Sequence, residues 1–273
     1  MSDAEIPSMD YPHPAPQGTR IYHWRGGLLL LAHTLVLDRP TNPIAATLRI
    51  ALNKPYVIEV EDRKITTRAS LVGSGKVRKR VTAIDSDVAL FYFPIEWPEY
   101  SGLRRAIGDQ SIVDLDISIF KPVLARLREA FNGNLDGDAI RSISQDTLRL
   151  IAPEAAIQVD PRIAEVSRIL SEMPLGIFSV EDIAKKVHLS PSRLRGLFKE
   201  EIGYPIGEYA RWAAMWRAMG LWTPGITFTD AALEAGFYDL AHADKTFVEM
   251  FGMSPSLATD QRFVTKINCD LGV

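Results

Sequence analysis

The stretch LSPSRLRGLFKEEIG, Leu189 to Gly203, decides how this chain is read. Ser190-Pro191 is a helix start, with a capping hydroxyl and a proline at the first helical position. Leu194, Leu197 and Phe198 share one face and belong to a core, which leaves Ser192, Arg193, Arg195 and Lys199 on the other. Gly203 closes the helix. A second stretch, LAHADKTFVEMFG at Leu240 to Gly252, has the same plan with fewer bases.

Upstream residues complete the match. Asp182-Ile183-Ala184 corresponds to Asp230-Ala231-Ala232 at an offset of 48; Phe198 to Phe247 and Gly203 to Gly252 at an offset of 49. One unit is used twice, with one extra residue in the second turn. Each unit is a short helix, a tight turn (Val187-His188-Leu189, or Ala235-Gly236-Phe237-Tyr238) and a second helix, which is helix-turn-helix spacing. Ala184 and Ala232 are small where two helices cross, and Gly236 can supply a positive φ. The second helix of such a unit can lie in a DNA major groove with its early residues at base edges. Arginine suits that place because its fork meets guanine O6 and N7 together.

A helix opened by Pro205 and running to about Leu221 lies between the units. At 1.5 Å per residue it spans about 25 Å. It can hold two reading helices about one DNA turn apart, roughly 34 Å. Charge divides unevenly. Residues 179–217 hold seven basic and five acidic residues, and residues 218–273 three and seven. The first unit is expected to dominate phosphate attraction, with Arg195 mattering more than Lys245.

Before these units the chain changes character twice. From Ile21 to about Tyr100 short apolar runs alternate with turns, which predicts an all-β sandwich or barrel. From about Leu115 the period becomes helical. Phe120, Val123, Leu124, Leu127 and Phe131 form one stripe that can pack on its own barrel or on a second subunit, and a second helix covers about Asp138 to Ile151. The domain boundary is placed near 153–160, and Asp160-Pro161, Ser179, Thr229-Asp230 and Ser254-Pro255 are read as further helix starts. The fold class is α+β multidomain: an N-terminal β-barrel with linker helices, then an all-α domain with two helix-turn-helix units. Residues 1–19 are Pro-rich and read as a flexible tail.

Composition bounds the rest. The chain has 273 residues and a net charge of −3 with pI about 6.0, mildly against nucleic-acid binding. A single cysteine, Cys269, excludes an intrachain disulfide framework and suits a reducing cytoplasm. No signal peptide or membrane span is evident. The five histidines are scattered, so no metal site is expected, and no phosphate loop or dinucleotide fingerprint calls for a cofactor. The basic run Lys76-Val77-Arg78-Lys79-Arg80 reads as a solvated hairpin, with a ligand carboxylate or DNA as the other use.

Residues 160 to about 258 resemble the C-terminal DNA-binding domain of AraC/XylS-type bacterial transcription regulators. The motifs are Val180-Glu181-Asp182-Ile183-Ala184, Leu189-Ser190-Pro191-Ser192-Arg193-Leu194, Leu197-Phe198-Lys199, Glu201-Ile202-Gly203, Glu234-Ala235-Gly236-Phe237, Thr246-Phe247 and Phe251-Gly252-Met253-Ser254-Pro255. Residues 20–110 resemble, less specifically, the cupin-like effector domain of such regulators. The sequence departs from the family at Arg195-Gly196, at Ala243-Asp244-Lys245 and at Leu257-Ala258-Thr259. The resemblance implies a cupin-like effector-binding or dimerisation domain at 20–110, a helical linker at 111–155 and a DNA-binding domain at 160–263. Base contacts are expected from Ser192, Arg193 and Arg195, and from His242 and Lys245; Ser190 and Lys199 belong to the same DNA-binding set. Phosphate contacts are expected from Lys185, Lys186, Arg211 and the helix N-termini. His33, Arg49 and Tyr56 are the candidates for a small-molecule effector. A homodimer through the 120–131 stripe and contact with RNA polymerase are family expectations. The alternatives are a regulator controlled by a protein partner, and a barrel enzyme carrying a DNA-binding domain.

Overall fold

The computed structural model describes residues 18–95, 100–152, 159–223, 225–258 and 260–270. The expected tail therefore lies outside the described residues up to residue 17, as does most of the expected domain boundary, 153–158. The first strand already begins at Thr19.

The N-terminal strands are β1 (Thr19–Trp24), β2 (Gly27–Ala32), β3 (Leu35–Leu37), β4 (Ala45–Ala51), β5 (Tyr56–Val60), β6 (Arg63–Thr67), β7 (Ala69–Val72), β8 (Arg78–Ala83) and β9 (Val88–Pro94). After α1 (Tyr100–Ile107) comes β10 (Val113–Asp114), then α2 (Lys121–Asn132) and α3 (Gly137–Ile151). A seven-stranded sheet runs β10-β7-β4-β9-β2-β1 and ends on a strand from the far C-terminus; a four-stranded sheet runs β3-β8-β5-β6. Leu28, Leu30, Val88 and Leu90 of the large sheet share a core with Tyr56, Ile58 and Val81 of the small one. The intervening residues Leu29, Leu31, Ala89 and Phe91 point to the opposite face and are covered by the helices. Both faces of the large sheet are therefore dry, which is why β2 and β9 read as unbroken apolar runs.

That covering places the helical stripe. Phe120, Val123, Leu127 and Phe131 are buried with Leu29, Leu48 and Phe91, on the chain's own sheet. The side chains expected at a dimer seam are occupied within one chain.

The C-terminal part comprises α4 (Pro161–Glu172), α5 (Val180–Lys186), α6 (Pro191–Ile202), α7 (Ile206–Leu221), α8 (Phe228–Glu234), α9 (Leu240–Phe251) and α10 (Pro255–Ala258). α8 opens one residue pair earlier than the sequence reading: Thr227, not Thr229, accepts the N–H of Asp230, because only a residue three before Asp230 can reach it. α7 is buried on nearly every side. Trp212 and Trp216 stack at 5.2 Å between ring centroids, and Trp216 lies 5.2 Å from the His23 ring on β1.

The chain then returns to its beginning. β11 (Val264–Asn268) lies parallel to β1, from Thr19↔Val264 to His23↔Asn268. Lys266 donates from Nζ to the carbonyls of Met219 and Trp222, which terminate α7, and sits 4.5 Å above the Trp222 ring. Asn268 Nδ2 donates to Gly220 O at 2.9 Å, and the Cys269 N–H to His23 O at 2.8 Å. Ending the C-terminal domain at 263 missed this strand, which belongs to the N-terminal sheet.

Candidate nucleic-acid interface

Each reading helix is built by a short polar cap and an apolar underside. In the first unit Ser179 caps α5 and Ser190 caps α6, its hydroxyl accepting from the Arg193 N–H at 3.2 Å. In the second, Thr227 caps α8 and Asp239 caps α9, its carboxylate accepting from the His242 N–H at 2.7 Å. The crossing points are the buried Ala184 and Ala232. The turns need a left-handed residue: Gly236 at φ 92° supplies it in one unit and His188 at φ 55° in the other. The extra residue of the second turn is Tyr238, which stands 93% exposed just before the α9 cap.

Ser192, Arg193, Arg195 and Lys199 are all exposed on α6, and Leu194, Leu197 and Phe198 are buried beneath them. Arg195 bonds Glu181 of α5 at 3.0 Å, and Lys185 bonds Asp182 at 3.3 Å. Glu181 is held below the usual carboxylate range by its own backbone N–H and by Arg195. Any other anionic partner of Arg195 competes with that ion pair. Lys186 is also exposed. On α9, His242 is half-buried against Phe237, and Lys245 is exposed, 3.9 Å from Glu249. Arg211 is placed elsewhere: it lines a groove of about 450 Å³ beside Thr41, Ile44 and Met250, facing the barrel rather than the start of a reading helix.

The barrel touches the other ends of both reading helices. Beyond α6, the Tyr204 hydroxyl pairs with Ser74 Oγ at 2.7 Å, and an added Cβ on Gly75 would lie 2.6 Å from that hydroxyl. At α9, the Asn42 N–H donates to Glu249 O at 2.9 Å, and an added Cβ on Gly252 would lie 2.8 Å from Thr41. Thr41 and Arg78 exchange two backbone hydrogen bonds of 2.9 Å, so the two loops that hold the helices are themselves joined.

Arg78 is the strut of that junction. The sequence reading placed it in a solvated hairpin, but it is 1% exposed and donates to the carbonyls of Ala45, Val72, Gly73 and Lys76 and to Thr47 Oγ1. A bulge beside Val60, which faces Arg78, breaks the strand's alternation and leaves Lys79 and Arg80 outside. Arg49, also 1% exposed, donates to the same Thr47 hydroxyl at 3.1 Å, while its Nε has no partner. Burial, then the charge of Arg49, pulls Arg78 down to about 9; burial lowers Arg49 too. Tyr56 joins this group, bonding Ser70 at 2.7 Å and Arg49 O at 3.4 Å. The structure thus brings Arg49 and Tyr56 together. His33 is not brought to them: it lies exposed just past the end of β2, 2.6 Å from Asp87. Among the described residues no group of three potential metal ligands occurs, and no helix is long and apolar enough to cross a membrane.

Residues 183–260 match a family model described as a helix-turn-helix domain. The C-terminal part of the chain therefore carries a helix-turn-helix domain. The match supports a DNA-binding transcription regulator. Its fold is similar to that of ToxT from Vibrio cholerae. Apo ToxT K231A aligns at TM-score 0.55 and 10% identity, over 85% of this chain and 96% of that one. ToxT with a bound unsaturated fatty acid aligns at TM-score 0.54 and 11% identity, over 88% and 98%. The V. cholerae protein bound to (E)-4-(8-methylnaphthalen-1-yl)but-3-enoic acid gives 0.54 and 12%, over 85% and 97%. The shared architecture is a sheet-rich N-terminal domain followed by the helical one. No curated protein matches the chain.

Sequence reasoning missed Tyr204, Arg78 and Lys266. Arg78 carried no local signal: alternation from Val81 and Ala83 would turn Lys79 inward, and the bulge beside Val60 puts Arg78 there instead. Tyr204 and Lys266 act across domains, and nothing local marks such contacts.

Proposed function

We propose that the chain is an effector-responsive regulator that reads DNA with the N-terminal halves of α6 and α9 while its barrel holds their C-terminal ends. Arg193, Arg195 and Ser192 contact bases, and His242 and Lys245 contribute a weaker second half. Lys185 and Lys186 meet phosphates, with the Ser190 hydroxyl at the helix start and Lys199 further along α6. Residues 20–110 sense, 111–155 brace the sensing sheet, and 160–263 read. The partners are duplex DNA, a small-molecule effector and, by family resemblance, RNA polymerase, in the cytoplasm.

One observation carries this reading: barrel loops hold the C-terminal ends of both helices, at Tyr204 just past α6 and at Glu249 and Gly252 of α9, and the two loops are joined through Thr41 and Arg78. A change in the barrel can therefore move both helices together. The ligand-bound ToxT structures support an effector for a fold of this kind. The test is binding of full-length protein to duplex DNA across salt concentration. The expected result is affinity that falls steeply with salt, and falls further in Arg195→Ala. No binding at low salt, or binding indifferent to both, contradicts the proposal.

A further inference from the structure

The repeat that builds the two units also aligns their outer surfaces. At the offset of 49 that joins Phe198 to Phe247, Pro191 and Ser192 correspond to Leu240 and Ala241. Arg193, Arg195 and Lys199 correspond to His242, Asp244 and Val248. All three cations of α6 are therefore replaced in α9. The one lysine or arginine that α9 carries, Lys245, stands where α6 has Gly196. It lies 3.9 Å from Glu249.

Apolar groups take the place of those cations. Leu240 is 41% exposed in the first turn of α9, and Ala241 beside it is exposed. Tyr238 is the most exposed large hydrophobic side chain among the described residues, and it is the turn residue that the first unit lacks. Asp239, between Tyr238 and Leu240, turns its carboxylate to the His242 N–H and caps the helix. Asp239 and Asp244 together oppose phosphate at this end of α9. The tip is two large side chains wide, far short of the roughly 800 Å² per partner of a stable protein interface. It is instead continuous with the surface that a helix-turn-helix sets into the major groove. The apolar group that a base pair displays there is the 5-methyl of thymine.

We infer that the second unit reads thymine methyl groups: Leu240 and Ala241 pack on them, and Tyr238 closes over them from the turn. This rests on α9 being a DNA-reading helix and gives its half-site a base chemistry unlike that of the first. Asp244 sharpens the choice. An ionised carboxylate only accepts hydrogen bonds, so it opposes the O6 and N7 acceptors of guanine. Methyl contacts neutralise no phosphate and release no counterion, so the contribution of this half-site changes little with salt.

The test uses full-length protein and a duplex that the wild type selects from a random pool. Each enriched block is resynthesised in turn with deoxyuridine for thymidine, which removes only the 5-methyl group. The double variant Tyr238→Ser/Leu240→Ser is titrated beside the wild type; both side chains are exposed, and an unchanged melting temperature verifies its fold. In one block, uracil is expected to weaken wild-type binding about threefold per contacted methyl, at low and high salt alike, and to leave the double variant unaffected. In the other block it is expected to act equally on both proteins. No uracil penalty in either block, or a penalty in both that the double variant retains in full, overturns the inference. Scrambling the blocks one at a time separates this failure from a wider one. If both blocks are needed and uracil changes nothing, α9 reads DNA through other groups and only the methyl assignment falls. If one block suffices, or none is enriched, the reading role of α9 falls with it.

Discussion

The two helix-turn-helix units share a plan but not a surface. The first presents three cations and a serine above Leu194, Leu197 and Phe198. The second presents Lys245, Tyr238 and Leu240 above Ala243 and Phe247, with Asp239 and Asp244 among them. What is repeated is the part that folds: caps, small crossing alanines, a left-handed turn residue and a closing glycine. What diverges is the part that meets a partner. The same comparison separates anchoring from reading, since the C-terminal ends of both helices meet barrel loops, through Tyr204 and through Gly252, while the capped ends are exposed.

The sharpest way to break the comparison is to exchange the units' roles. Arg195→Ala is expected to cost about 1–3 kcal/mol of DNA binding, roughly five- to 150-fold, by equilibrium titration on a selected site. Lys245→Ala is expected to cost less than about threefold; the reverse order makes the second unit the principal reader. Next in size is the junction. Removing residues 263–273 strips β11 from β1 and the Lys266 cap from α7. Thermal unfolding is expected to shift down by more than about 5 °C, from lost edge pairing and burial. An unchanged melting temperature means the strand does not brace the molecule.

A pH series sharpens the same point. Burial, then the charge of Lys266, lowers His23 to about 3, and neither ring nitrogen has a hydrogen-bond partner. In the unfolded chain the imidazole titrates near 6.5. The folded state therefore binds fewer protons between those values. Stability from this group is full above pH 6.5 and falls as pH drops toward 3, by up to about 1.4 kcal/mol per unit. Lys266 is lowered by burial to about 7, so its contribution rises with pH from about 7 to the unfolded value near 10.5. His23→Phe should flatten the acidic limb of a denaturation series and leave the alkaline limb; a parent slope retained in the variant places the titration elsewhere. The smallest effect is expected from Tyr204→Phe, which removes one hydrogen bond to Ser74 worth about 1 kcal/mol. It should alter the effector's influence on DNA affinity more than the affinity itself.

Much of this was legible because it is local. The period of Leu194, Leu197 and Phe198, the Ser190-Pro191 start and the 48–49 residue offset each encode a short-range rule. The barrel strands were legible as a class for the same reason. The rest depends on what the chain packs against. The Phe120–Phe131 stripe could serve a partner or the sheet equally well, and only the apolar backs of β2 and β9, which it covers, decide it. Arg78 looks like its neighbours Lys79 and Arg80 in sequence; a bulge, and carbonyls from β4, the end of β7 and its own loop, make it a buried strut. Lys266 sits in a tail with no motif, and its role exists only because α7 ends beside β1.

The central claim is that the first unit leads in reading DNA while the second follows. Selection of bound sites from a random duplex pool, using purified full-length protein with wild-type and Arg195→Ala run in parallel, tests it most directly. The account predicts two enriched blocks about one helical turn apart, roughly 34 Å, of which the stronger contains guanine and disappears in the variant. Two blocks that both survive Arg195→Ala, or no enrichment at low salt, would contradict it.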